Sequence, residues 1–70
     1  MNRRLDQQFA QFLRETRGPS TYAEFARKVG LSPSTVYRLE HGEQSITLQS
    51  LEQVLKRLKC TLRDVFPDGL

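Results

Sequence analysis

The stretch Thr21-Tyr22-Ala23-Glu24-Phe25-Ala26-Arg27-Lys28-Val29-Gly30-Leu31-Ser32-Pro33-Ser34-Thr35-Val36-Tyr37-Arg38-Leu39-Glu40-His41-Gly42 decides the fold. It contains two short helices and the turn between them. Thr21 and Glu24 stand at capping-box spacing, where a hydroxyl and a carboxylate reciprocally satisfy exposed backbone donors. Tyr22, Phe25, Ala26 and Val29 follow as an apolar stripe of helical period. Gly30 ends this helix, since glycine accepts the left-handed conformation after a last turn. Ser32 is a good N-cap and Pro33 suits the first helical position, where its missing N–H costs nothing. The second helix runs to about His41, and Gly42 stops it.

The link Val29-Gly30-Leu31-Ser32 is too short for the two helices to lie side by side, so they must cross steeply. Gly30 supplies the backbone freedom for the turn, and Leu31 anchors it to the core. Taken at about 100° per residue, the second helix turns Thr35, Val36 and Leu39 toward the core. Pro33, Ser34, Tyr37, Arg38 and His41 face outward, and Glu40 lies at the edge, placed to accept a salt bridge from the first helix. The outer stripe is neutral to basic and carries no carboxylate. A helix of this width fits the DNA major groove, about 12 Å across, where each base pair shows its own donor–acceptor pattern.

Outward from this stretch the chain continues to read as short helices. Before it, Leu5, Phe9, Phe12 and Leu13 recur at helical spacing from about Arg3 to Thr16, and Gly18-Pro19-Ser20 ends that helix. After it, Thr47 caps a helix with Leu48, Leu51, Val54, Leu55 and Leu58 on its apolar side. Thr61 and Asp64 repeat the cap spacing and open a last short helix with Leu62, Val65 and Phe66, ended by Pro67. No alternating β-branched run or Asn-Gly hairpin signal occurs, so the expected class is all-α.

Seventy residues make one domain, 1–70, with the helix-turn-helix core at about 21–42 and C-terminal helices at 47–66. A chain this short buries only about 60% of its unfolded surface, so it needs efficient helix packing, a staple or a partner. One cysteine and one histidine provide neither an intramolecular disulfide nor a zinc-ligand set, so no metal or other cofactor is expected. A lone thiol suits the cytoplasm, and Cys60 reads as core packing. No apolar run has the length of a membrane span or a signal peptide. Eleven Lys and Arg against eight Asp and Glu give +3, which fits a polyanionic partner. Lys56, Arg57 and Lys59 read as the solvated face of the fourth helix, and Arg27 and Lys28 similarly. Catalysis is not expected: one histidine beside a glycine has no triad, and there is no Gly-rich phosphate cradle.

The residues from Glu24 to Gly42 closely resemble the phage-repressor (Cro-type, XRE) helix-turn-helix family. Ala26, Gly30, Leu31, Glu40 and Gly42 match its small helix-two residue, turn glycine, apolar turn residue and Glu-x-Gly ending. The likeness continues through Leu48, Leu51 and Leu58 to Thr61-Leu62-Arg63-Asp64-Val65-Phe66. It implies a five-helix orthogonal bundle, lambda-repressor-like, encoded by a bacterium or phage and acting at the nucleoid.

Carried over by position, the resemblance assigns base contacts to Pro33, Ser34, Thr35, Tyr37 and Arg38. It assigns phosphate contacts to Thr21, Tyr22, Ser32, His41 and Gln44, and a buried ion pair to Arg14 and Glu40. The chain departs from the family in three respects. Tyr22 and Pro33 replace the glutamines that open its second and third helices, Lys59 stands where a glycine follows helix four, and Arg14 lies one residue farther from helix two. Lys59 must therefore take a left-handed conformation or shorten the cap.

A sequence-specific regulator of transcription, a repressor on double-stranded DNA, is the resulting expectation, with no small-molecule ligand. One reading helix contacts few base pairs, which calls for a homodimer on a (pseudo)palindrome. Leu62, Val65, Phe66 and Leu70 are its expected dimer surface. The alternative is a protein-interaction module, antitoxin-like or an anti-repressor adaptor, using the same helix face.

Overall fold

In a computed structural model, residues 4–69 are described, and they form five helices. These are α1 (Arg4–Arg17), α2 (Tyr22–Val29), α3 (Pro33–Glu40), α4 (Leu48–Leu58) and α5 (Leu62–Val65). No strand occurs among the described residues. The boundaries follow the cap residues closely. Thr21, Ser32, Thr47 and Thr61 each sit in extended conformation and accept the amide three residues on. At Thr21 and Thr61 the capping box is complete, with Glu24 and Asp64 returning the bond.

The core is formed by Phe9 and Leu13 of α1, Phe25, Ala26 and Val29 of α2, Val36 and Leu39 of α3, Leu51 and Val54 of α4, and Val65 of α5. Each is a position the helical period turns inward. α3 packs against α1 and α2, while α4 packs against α2. α3 is thus clamped on two sides and open on the third.

The turn between α2 and α3 follows from two closures. Gly30, at φ 77° and ψ 29°, donates to the Ala26 carbonyl at 2.8 Å, and Leu31 donates to the same carbonyl at 2.9 Å. From α4, Gln53 Nε2 donates to the Val29 and Gly30 carbonyls, both at 3.0 Å. A β-carbon on Gly30 would stand 2.5 Å from that nitrogen and 3.2 Å from the Arg57 guanidinium carbon. Glycine is needed here for room as well as for its dihedral angles. Lys59 takes the left-handed conformation outright, at φ 55° and ψ 46°, and Cys60 donates to the Leu55 carbonyl at 3.0 Å. α4 therefore keeps its full cap without a glycine.

Two expectations need correction. Val65 is fully buried and cannot meet a second copy, while Phe66 is half-buried with its ring stacked on Phe9 at a centroid distance of 6.2 Å. Of that expected dimer surface Leu62 alone is exposed, and Leu70 lies outside the described residues. Leu48, placed on the apolar side of α4, is 84% exposed. It opens the helix, ahead of the first turn that meets α2.

Candidate nucleic-acid interface

The outer face of α3 assembles from its own first turn. Ser32 Oγ accepts from the Thr35 amide at 3.1 Å and donates to Thr35 Oγ1 at 2.7 Å. Pro33 and Ser34 stand exposed at the start of the helix, with Ser34 Oγ 3.4 Å from Ser32 Oγ. Thr35 is half-buried, as its inward angular position requires, and its hydroxyl is engaged with the cap. One turn on, Arg38 is exposed and donates through Nε to Gln44 Oε1 at 2.8 Å. That bond uses one N–H of a guanidinium that carries five, and its terminal fork is not used in it. It also ties a base-reading candidate to the loop of residues 43–46, whose next residue, Ser45, donates to Asp6 of α1 at 2.7 Å.

Beside this polar strip runs an aromatic one. The Tyr37 ring stacks on His41 with centroids 4.0 Å apart and meets the Tyr22 ring edge-on at 5.6 Å. The Arg17 guanidinium lies 4.2 Å from the Tyr22 ring centroid. Tyr22 and Tyr37, one from each helix of the motif, therefore brace each other across the α2–α3 pair.

The far end of α3 is held from α1, by a residue that sequence reasoning missed. Glu40 is 1% exposed. Its carboxylate accepts from Arg17 Nε at 2.7 Å and from Arg17 Nη2 at 3.1 Å, a bidentate pair. Arg17 also donates to the Ser20 carbonyl at 2.9 Å, fixing the α1–α2 connection. Its hydrogen bond to Glu40, above all, holds its pKa above the ordinary arginine value against the opposing effect of desolvation.

The expected ion pair of Arg14 with Glu40 is thus corrected. Arg14 Nη1 donates to the main-chain carbonyl of Glu40 instead, and Arg17 takes the carboxylate. The signal was available in the spacing, since Arg14 and Arg17 are three residues apart on one face of α1. No comparable signal marked Gln53, whose role depends on where α4 lands.

The remaining phosphate candidates divide. Thr21 and Ser32 have their oxygens in capping bonds, and the Glu24 carboxylate sits on the Thr21 amide at 3.0 Å. That carboxylate opposes an anion at the very start of α2. His41 is exposed, and its Nδ1 lies 2.8 Å from the Tyr37 carbonyl oxygen. Gln44 is half-buried and oriented by Arg38.

Residues 13–65 match the helix-turn-helix family, a span that takes in both helices of the motif together with α4 and α5. The chain belongs to that family, in its XRE-type branch. Family members are DNA-binding regulators, and a helix-turn-helix is defined by the pair that α2 and α3 form here. Among curated proteins the chain is similar to the plasmid copy control protein CopR of Streptococcus agalactiae. The two are 32% identical over 54 residues, 77% of this chain and 59% of that protein. The chain spans well under two thirds of the length of this relative. No solved structure matches it. No helix among the described residues is long and apolar enough to cross a membrane.

Proposed function

We propose that this chain is a sequence-specific regulator of transcription, a repressor, that binds double-stranded DNA by inserting α3 into the major groove. One observation carries the reading. The exposed side of α3 presents Ser34, Tyr37 and Arg38, and the single carboxylate of the helix, Glu40, is buried on the opposite side with Arg17. The face offered to a polyanion is therefore free of opposing charge. Arg38 is the main base reader, through a bidentate contact to guanine O6 and N7, with Pro33, Ser34, Thr35 and Tyr37 around it. His41, Gln44, Ser32, Thr21 and Tyr22 meet the backbone, of which His41 and Gln44 are the strongest. The similarity to CopR, a plasmid copy control protein, supports a regulatory role.

A single α3 spans too few base pairs for a unique site, so the chain acts as a homodimer with half-sites about one helical turn apart. Leu62 is the exposed apolar residue of α5 and the starting point for mapping the contact. Selection of bound sequences from a randomised duplex library, with affinity then followed against salt, tests the reading. A palindromic motif and a steep loss of affinity with salt are expected, since each neutralised phosphate contributes about 0.9 to the slope. Enrichment of nothing above background would instead direct the same helix face to a protein partner.

A further inference from the structure

The His41 ring is held in a way that fixes which nitrogen carries its hydrogen. Its Nδ1 lies 2.8 Å from the Tyr37 main-chain oxygen. A carbonyl oxygen only accepts, so Nδ1 is the donor and the neutral ring leaves Nε2 as a bare acceptor. Stacking on Tyr37, with centroids 4.0 Å apart and planes at 21°, prevents the ring from turning freely. A phosphate oxygen also only accepts. The neutral, anchored ring and a DNA phosphate therefore have no hydrogen to share. Two ways remain to make that contact: break the Nδ1 bond and change tautomer, or add a proton at Nε2.

The position of the ring makes the contact relevant. His41 follows the last residue of α3 and is seven residues beyond Ser34, roughly 10 Å along the helix axis. That distance approaches the width of the major groove, about 12 Å, so a helix reading bases at its start meets the backbone wall at its end. Arg14 of α1 lines the same open groove as His41, together with Gln7, Gly42 and Glu40. The Glu40 carboxylate is committed to Arg17, Tyr22 and Tyr37 present rings, Arg38 is bonded to Gln44, and Glu43 lies in the loop beyond. A phosphate entering this setting supplies the anion that a protonated ring needs.

We propose that His41 takes up a proton as the chain binds DNA, so that affinity is coupled to pH through one imidazole. The inference rests on the major-groove reading above. The sign follows from linkage: the complex holds the proton more tightly than the free protein, so binding is stronger at low pH and weakens as pH rises.

The experiment is direct because the chain has a single histidine. Binding to a mixed-sequence duplex of about two helical turns is measured between pH 5.5 and 8.5, the range in which histidine ordinarily titrates. For the wild-type chain, affinity should fall by up to about tenfold from pH 6 to pH 8, the limit for one linked proton being tenfold per pH unit. The salt slope should drop by about 0.9 over the same interval. His41→Gln should be flat in both, and His41→Lys should be flat with pH while keeping the larger salt slope. Independently of any variant, adding duplex near pH 7 should move the histidine ring resonances of the wild-type chain toward the imidazolium form. Binding by the wild-type chain that does not change with pH, or the same pH dependence in His41→Gln, would overturn the coupling and leave DNA binding intact. Failure to bind duplex at every pH would overturn the DNA reading and this proposal with it.

Discussion

The two ends of α3 are fixed by opposite means. Its first turn is held by its own residues: Ser32 caps the helix, Pro33 pre-sets the backbone, and Ser34 extends from it without any neighbour in the core. Its last residue is held from outside, with Glu40 buried and gripped by Arg14 at its carbonyl and Arg17 at its carboxylate. On the proposed reading this division separates recognition from stability. Side chains at the free end can change what α3 touches without altering how it is mounted, while changes at the anchored end reach the whole fold.

The largest effect should come from the anchored end. Arg17→Ala leaves a carboxylate buried without its partner and removes the brace on Ser20 and Tyr22. Breaking a buried pair this way costs about 3 kcal/mol. For a domain of this size, with roughly 0.1 kcal/mol of stability per residue, that is a large share of the total. Thermal or urea unfolding followed by circular dichroism would measure it, and a loss under about 1 kcal/mol would show that the pair contributes little beyond surface screening.

Next in size is Gly30→Ala, which places a β-carbon in a left-handed residue and against Gln53. About 2 kcal/mol should be lost, combining the dihedral cost with displacement of the α4 bond. The double variant with Gln53→Ala sharpens this: the two losses should sum to less than additive, because one contact is shared. Strict additivity would mean that the glycine serves the dihedral angles alone.

Lys59→Gly works in the other direction. It relieves the left-handed residue after α4 and should raise stability by up to about 1 kcal/mol, visible as a higher melting temperature. Cys60 beside it should give the smallest signal. Burial, and then Asp64, push its thiol pKa up, so it should react with iodoacetamide at pH 8 more slowly in the folded chain than in urea. Folding favours the protonated thiol, so its contribution is present below the unfolded pKa and is lost as pH rises through the folded one.

The caps and the turn were legible in the sequence because they are local. Thr21 with Glu24, Ser32 with Pro33, and Thr61 with Asp64 each act within a few residues, and the helices begin where they fall. The outward face of α3 was legible for the same reason, being set by the helical period. What remained hidden depends on where separate elements meet. An arginine reaching Glu40 from α1 was expected, but choosing Arg17 over Arg14 needs the angle between two helices. Val65 and Phe66 looked like surplus apolar surface because nothing local says that Phe9 lies opposite them. The turn-holding role of Gln53 carried no sequence mark at all, since it exists only once α4 has packed on α2.

On the proposed reading the exposed side of α3 recognises DNA while the buried Glu40 carries the fold, and Arg38→Ala separates the two most directly. Selection from a randomised duplex library and thermal melting should be run on the wild-type chain and this variant in parallel. Melting should stay within about 0.5 kcal/mol of wild type, as for a surface substitution, together with loss of preference at one base position per half-site. An unchanged selected motif would contradict this reading, because Arg38 would then be a solvated side chain on a helix that recognises its partner by other means.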